Sequence, residues 1–190
     1  WMRRTTVGSI AVVFATVGAW AAPAPAAGLS IATFTADVTV PAGHPLEGGW
    51  ILAASRFDHP LLAKGVVLRD AGGTYVLCAL DWCEVRNDAY EIFRKRIAEA
   101  AGISAQQVAV HCTHTHSAPL TDMRAQELLD TVPGAPVHAD VTFLRTAADR
   151  VGKAVSEEIG RMEPVTHVGK GQAKVDRLAS NRRVMQADGK

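Results

Sequence analysis

The 190-residue sequence predicts an α/β fold in which a mixed β-sheet is covered by helices. Short β-branched and apolar runs alternate with two longer segments whose apolar residues recur at steps of three and four. One glycine-containing turn also joins two of the short runs in the manner of a β-hairpin. Strands that alternate with helices favour a sheet with helices packed on it.

The predicted strands are runs of β-branched and apolar residues bounded by turn-forming residues. The turn Asp70-Ala-Gly-Gly73 separates the second strand from the third. The strands are predicted at about residues 31–39, 62–70, 74–81, 107–114 and 164–171.

Two helices are predicted, at about residues 87–101 and 137–161. The first has Asn87 or Asp88 as its N-cap and Gly102 as its stop. The second repeats apolar residues from Val137 onward at helical spacing. Between the fourth strand and this helix, residues 120–136 are predicted to form a long loop, and such loops often shape a functional site.

The N-terminal residues have the three parts of a secretory signal. Arg3 and Arg4 precede an apolar stretch, and small residues follow it up to Ala26. We therefore predict a signal peptide at residues 1–26, a domain at residues 27–190 and a secreted or periplasmic protein. A membrane anchor is the alternative, but Gly8 and Gly18 weaken an apolar run that would need about 20 apolar residues.

The charge balance argues against nucleic acid as a partner. The formal net charge is +1, and no basic field runs along the sequence. Arg177, Arg182 and Arg183 form the densest basic cluster, which we interpret as a solvated loop face. Three cysteines are too few for a disulfide framework, so Cys78 and Cys112 are predicted to be small core residues.

The run His111-Cys-Thr-His-Thr-His-Ser-Ala-Pro119 is the segment most indicative of chemistry. It follows apolar β-branched residues, so it is predicted to end a strand, where residues two apart share a face. His114 and His116 should then point the same way, and His111 the other way. Neutral imidazole is a common zinc ligand. The sequence therefore predicts a metal site in which both histidines are ligands, or one is a ligand and the other handles protons.

Other polar residues near this run are weaker candidates. Asp81 ends the third strand and would lie at the same sheet edge if the third and fourth strands are parallel, where its carboxylate could orient a ligand histidine. A helix cap or a surface acid is the alternative for Asp81. Cys112 shares strand parity with His114 but is predicted to lie deeper in the core. Cys83 has no evident basic partner for a nucleophile, and Ser117 lacks a nucleophile elbow.

The segment Thr113-His-Thr-His-Ser-Ala-Pro119 resembles the Thr-His-Thr-His-Ser-Gly-Pro segment of the neutral/alkaline non-lysosomal ceramidase family. The resemblance covers about residues 31–190. Weaker matches occur in the family's order at Thr35–Pro41, Gly43–Gly48, Leu62–Leu68, Leu77–Asp81 and Asn181–Arg183.

This resemblance implies a zinc amidase that hydrolyses ceramide or a related lipid amide, with transient contact to a membrane surface. It implies that His114 is the first zinc ligand and that His116 lies beside the metal, where it assists catalysis. It also places the loop around His44 near the substrate entrance. His44 and His59 lie in loops that contain glycine or proline, and both are predicted to be exposed. The family's remaining ligands lie downstream, so His138 and His167 are not assigned as ligands.

The resemblance further implies that residues 27–190 are the N-terminal part of a larger catalytic domain and are inactive alone. The sequence departs from the family at Ala118 and Leu120, where ceramidases have glycines. Two alternatives therefore stay open. One is another exported metal hydrolase that acts on a different amide or ester, and the other is a non-catalytic exported binding domain with a degenerate site.

Overall fold

The structure is a computed structural model that describes residues 28–176. It has an α/β fold, as predicted, with seven strands and three α-helices in the described part. The strands are β1 (Ser30–Asp37), β2 (Leu62–Asp70), β3 (Gly73–Leu80), β4 (Glu84–Arg86), β5 (Val108–Cys112), β6 (Leu120–Asp122) and β7 (Glu163–Pro164). The helices are α1 (Asn87–Ala101), α2 (Met123–Leu129) and α3 (Val141–Glu158).

Five strands form the main sheet in the order β5-β3-β2-β1-β7. The strands β1, β2 and β3 pair antiparallel, and Asp70 faces Gly73 at the predicted hairpin turn. The strands β3 and β5 are parallel, with Leu80 opposite Cys112. Because both strands of a parallel pair end at the same sheet edge, the loops after β3 and β5 emerge side by side. A small parallel sheet of β4 and β6 continues this edge.

The core lies between the main sheet and two helices. Helices α1 and α3 pack against each other, and they contact β5 and β1 respectively. The fully buried Trp82 joins these elements, because its ring meets Phe93 of α1 edge-on and stacks on Phe143 of α3. Its indole N–H donates to the Val38 carbonyl oxygen at 3.1 Å, so the buried polar atom is satisfied. Trp82 thus holds the loop after β3 to the core.

The first predicted helix is confirmed at both ends, but its predicted N-cap is wrong. Arg86 is the N-cap residue and contributes no side-chain cap, whereas Asn87 has a φ of 49° and donates its side-chain amide to Asp122. Gly102 ends the helix as predicted, in the left-handed conformation with its N–H bound to carbonyls of the last turn.

The second helix is predicted to begin at about residue 137, which is too early. In the structure it begins at Val141, and the Asp140 carboxylate caps the Phe143 N–H. The N–H groups of His138 and Ala139 instead donate to the Gln126 side-chain oxygen, at 2.8 and 2.9 Å. Gln126 belongs to α2, which together with β6 occupies residues 120–129, so the predicted loop at 120–136 is wrong over that part, whereas residues 130–136 form no helix or strand.

The last predicted strand, at 164–171, is also wrong. Only Glu163 and Pro164 pair with β1, and residues 165–176 carry no secondary structure. Proline at the second pairing position lacks the N–H that a ladder requires. The predicted signal peptide and the cluster Arg177, Arg182 and Arg183 lie outside the described residues. Among residues 28–176, no helix has the length and apolar character needed to cross a membrane.

We expect Gly65 of β2 to be intolerant of any side chain. A Cβ atom there would overlap the Phe34 ring and the Leu77 carbonyl oxygen, which pack directly on it. Gly65→Ala should lower the free energy of unfolding by about 1–3 kcal/mol, because the core must shift to admit the methyl group. Chemical denaturation of the full chain would measure this. The control is Gly160→Ala, where the added methyl meets open space, and it should change stability by no more than about 0.5 kcal/mol. Equal effects of the two substitutions would contradict the assignment.

Candidate metal centre

Three segments of the chain meet at the edge where β3 and β5 end. They are the loop at residues 81–83, the loop at residues 113–119, and the turn Glu47–Gly49. Backbone hydrogen bonds join them: His114 N–H donates to Trp82 O at 3.2 Å, and Cys83 N–H donates to Pro119 O at 2.9 Å. Glu47 N–H donates to Ala118 O at 2.9 Å. The side chains of these segments are therefore presented by a fixed backbone.

Cys83, His114 and His116 come together at this junction. One ligand atom from each of the three lies within 4.8 Å of the others, and the two imidazole rings meet edge to face at 4.9 Å. Cys83 is 2% exposed, whereas the histidine side chains are 61% and 56% exposed. They line a cleft of about 280 Å³. The group therefore has the donor chemistry and the spacing to hold a metal ion.

The two histidines are neighbours, as the sequence predicts, but not because of strand alternation. Strand β5 ends at Cys112, and His114 has a φ of 64°, in the left-handed region that few non-glycine residues adopt. The loop, not the strand, therefore turns the two rings toward each other. His111 lies on β5 and is exposed, and it is not a member of the cysteine and histidine group.

Two carboxylates stand beside the imidazoles, and the sequence analysis did not identify either. Glu47 Oε1 lies 3.2 Å from His116 Nδ1, and Glu84 Oε1 lies 3.8 Å from His114 Nδ1. A hydrogen bond from Arg86 lowers the pKa of Glu84, so this carboxyl is ionised at neutral pH. The site therefore carries negative charge next to its nitrogen donors.

Glu47 bears on the tautomer of His116. Its carboxylate lies at ion-pair distance from Nδ1 rather than in an aligned hydrogen bond, and its negative charge favours hydrogen on Nδ1 over hydrogen on Nε2. Glu47 itself has a φ of 45°, and Gly48 and Gly49 follow it in the same left-handed region. The turn is thus built to carry the Glu47 carboxylate to this ring.

His138 packs against the turn that carries Glu47. Its Nδ1 lies 3.3 Å from Gly48 O, and a Cβ atom on Gly48 would lie 2.7 Å from its ring. The other ring nitrogen, Nε2, is buried and has no hydrogen-bond partner in the described structure. His138 lines the same cleft as the three donor residues.

His44 is buried, which contradicts the expectation that it is exposed. It is 4% exposed, its Nδ1 lies 2.7 Å from Pro45 O, and its ring meets Phe143 edge-on. Burial lowers the pKa of His44 below its ordinary value of 6.5. His59 is exposed, as predicted.

Asp81 lies just beyond the end of β3, at the sheet edge that the parallel pairing predicts. Its Oδ2 accepts a hydrogen bond from the Leu62 N–H at 3.0 Å, which closes the start of β2. The proposed role of Asp81 in orienting a histidine stays a prediction.

The cysteines differ in their surroundings. Cys78 is buried in the core, as predicted, whereas Cys112 is only partly buried, and burial raises the pKa of both thiols to about 12. Burial, and then the negative charges of Glu84 and Glu47, raise the pKa of Cys83. A thiol of this kind is protonated at neutral pH, which disfavours Cys83 as a free thiolate nucleophile.

Comparisons with known proteins give one structural relation. No protein-family model matches the sequence, and no curated protein matches it. The fold is similar to that of neutral ceramidase from Pseudomonas aeruginosa. The TM-score is 0.55 over 73% of this chain, with 15% sequence identity, and the match spans 22% of the ceramidase chain. The resemblance of the histidine motif to ceramidases is therefore accompanied by a similar fold.

We expect Glu47 to set the tautomer of His116. In the wild-type chain, ¹⁵N NMR of the imidazole nitrogens should show hydrogen on Nδ1 of His116 at a pH where the ring is neutral, and Glu47→Ala should abolish this preference. Glu84→Ala is the matched control, because Glu84 faces His114 instead, and it should leave His116 unchanged. An unaltered His116 tautomer in Glu47→Ala would contradict the assignment.

We also expect His44 to make the fold sensitive to acid. Below its ordinary pKa of 6.5 the unfolded state takes up a proton at this position, whereas the folded state keeps the ring neutral. Stability is therefore lost as the pH falls below 6.5, by at most about 1.4 kcal/mol per pH unit for one proton. Urea denaturation at a series of pH values should show a shallower slope for His44→Gln. His59→Gln should keep the wild-type slope, and a His44→Gln slope equal to it would overturn the assignment.

Proposed function

We propose that this chain carries part of the active site of a zinc-dependent amidohydrolase of the ceramidase type. Its substrate would be ceramide or a related lipid amide, and the bond hydrolysed would be the N-acyl amide. The observation that carries the proposal is the pair His114 and His116, which share one cleft in a fold similar to that of neutral ceramidase.

The residues of the cleft fit a zinc ion. Imidazole nitrogen and cysteine sulfur are its usual ligands in proteins, and both are present within 4.8 Å of each other. His114 would be a ligand. When bound, zinc supplies a Lewis acid that polarises the amide carbonyl and lowers the pKa of water to about 7.

His116 would move protons during hydrolysis. The negative charge of Glu47 beside Nδ1 would favour hydrogen on that nitrogen, which would leave the Nε2 lone pair free to accept a proton from the attacking water. The same Nε2 would then donate that proton to the departing amine nitrogen. Glu47 would stabilise the protonated ring through its negative charge while the proton is held there.

A groove next to His116 supports a lipid substrate. Thr115 and Ser117, which flank this histidine, line it together with apolar and polar residues. The apolar ones include Leu46, Ile51, Leu52, Phe57 and Leu61, and the polar ones are Ser55, Arg56, Asp58 and His59. Trp50 and Leu52 are 87% and 92% exposed on the same segment. Apolar side chains beside the reacting group are what an acyl chain requires. The same exposed side chains would contact a membrane surface from the secreted or periplasmic side.

A second candidate is a metal hydrolase that acts on another amide or on an ester. The loop after His116 favours it, because Ala118 is fully buried and binds Glu47 N–H through its carbonyl. Ceramidases have glycine at the position of Ala118, so the loop here is less free to rearrange around a ceramide headgroup.

The test uses the full-length protein that contains this segment. We expect stoichiometric zinc and ceramide hydrolysis in the wild type, and loss of both in His114→Ala. His116→Ala should keep the zinc but lower turnover by about 10²–10⁴-fold, because only the proton carrier is removed. His111→Ala is the matched control, because His111 lies on β5 outside the cysteine and histidine group, and it should behave as the wild type.

Each remaining outcome has a defined meaning. Zinc retained at the wild-type level in His114→Ala would overturn the ligand assignment. Zinc without ceramide turnover would reject the ceramide substrate and favour the second candidate. Absence of zinc from the wild type would reject the hydrolase and leave an exported binding domain.

A further inference from the structure

We propose that Cys83 is a ligand of the same metal ion, as a thiolate beside His114. The centre would therefore take a thiophilic divalent cation such as zinc, cobalt or cadmium. This inference rests on the proposed function in one respect, because it concerns the ion that His114 would hold.

The spacing of the two donor atoms carries the argument. Cys83 Sγ lies 3.8 Å from His114 Nδ1. Two donors on one tetrahedral zinc lie about 3.5 Å apart when the bonds are about 2.3 Å to sulfur and 2.0 Å to nitrogen. The pair thus needs to move by only a few tenths of an ångström to share an ion. His114 Nδ1 now lies 3.2 Å from the Cys83 carbonyl oxygen, and a modest turn of the exposed ring would exchange that contact for the ion.

The position of Cys83 is also fixed in advance. Its backbone N–H is bound to Pro119 O, and its neighbour Trp82 is fully buried between two helices. The cysteine is 2% exposed but lines the cleft that holds both histidines. A ligand that is already ordered loses little side-chain entropy on binding a metal. His116, within 4.8 Å of both donors, stays close enough to exchange a proton with water at the ion.

The charges around Cys83 favour a cation. Glu84 and Glu47 lie in the same cleft, so a free thiolate there would be repelled by two carboxylates. A divalent cation reverses this balance, because it attracts the thiolate and both carboxylates at once. On binding, the sulfur–hydrogen bond breaks, the sulfur keeps the electron pair and donates it to the metal, and the proton goes to the buffer. No oxidation or reduction is involved.

A sulfur ligand sets the class of ion. Thiolates select zinc and other soft or borderline ions over magnesium and calcium, which prefer oxygen ligands. The centre proposed here therefore differs from an all-nitrogen and oxygen site in a property that spectroscopy detects directly, namely charge transfer from sulfur to metal.

The experiment is a titration of the full 190-residue chain with cobalt(II), monitored by absorption. We expect visible ligand-field bands of a tetrahedral ion together with an intense thiolate-to-cobalt band in the near ultraviolet. Cys83→Ser should abolish the near-ultraviolet band and weaken cobalt binding at least about tenfold. Cys112→Ser is the matched control, since Cys112 is the last residue of β5 and is not among the residues that line the cleft, and it should keep both the near-ultraviolet band and the cobalt affinity.

A second measurement needs no substitution, so it stands even if Cys83→Ser fails to fold. The ¹¹³Cd NMR signal of the cadmium-loaded wild-type chain should lie in the downfield range that a sulfur ligand produces. A cadmium signal typical of nitrogen and oxygen ligands alone would overturn the proposal.

The cobalt outcomes separate this proposal from the proposed function. If the wild-type chain shows visible bands but no near-ultraviolet band, Cys83 is not a ligand. If those visible bands also persist in Cys83→Ser and vanish in His114→Ala, the histidine ligand is kept and Cys83 is rejected. A near-ultraviolet band that depends on Cys112 would likewise reject Cys83. No cobalt binding by the wild-type chain would reject the Cys83 centre, and the zinc content of the full-length protein would then decide the proposed function by itself.

Discussion

The candidate centre depends on one pairing, the parallel contact between β3 and β5. It places Leu80 opposite Cys112, so the chain leaves both strands at the same edge of the sheet. Cys83 and His114 are 31 residues apart in sequence and become neighbours because of this pairing. The short parallel pair β4 and β6 extends the same edge and fixes the direction in which the chain continues after each loop. An antiparallel arrangement would send the two loops to opposite ends of the sheet and leave no shared cleft.

Backbone strain is concentrated at this edge. Glu47 and His114 are two of the three non-glycine residues with positive φ in the described chain, and both face the cleft. Such conformations cost about 1–3 kcal/mol each and persist only where surrounding contacts hold them. Here the contacts are backbone hydrogen bonds to Ala118 and Trp82, the second of which is anchored in the core. The packing energy of the core therefore offsets the conformational cost of the positive φ angles at Glu47 and His114, which orient their side chains into the cleft.

Local signals in the sequence determine the parts of the fold that could be predicted. The helix at residues 87–101 has a clear apolar face and a glycine stop, and the hairpin at Asp70 has its turn residues, so both are confirmed. The start of α3 has a local signal in Asp140, which caps the Phe143 N–H, but the apolar spacing extended the prediction back to Val137. That residues 138 and 139 are instead held by the Gln126 side chain is a tertiary contact that no local pattern encodes. The adjacency of His114 and His116 follows from their spacing, but Cys83, Glu47 and Glu84 join them only through long-range contacts that no local pattern encodes. His44 was misjudged for the same reason, since Phe143, which helps to bury it, lies about a hundred residues away.

The contact between His138 and Gly48 affects the order in which parts of the site form during folding. These two residues are 90 positions apart, and Gly48, which contacts the His138 ring, directly follows Glu47 in the turn. Closing so long a loop is slow compared with forming the hairpin of β2 and β3 or the helix α1. The turn can therefore reach its final geometry only after the strands and α2 have assembled and residue 138 has been synthesised. Glu47 then reaches its place beside His116 late in folding, after the strands that precede Cys83 and His114 have paired.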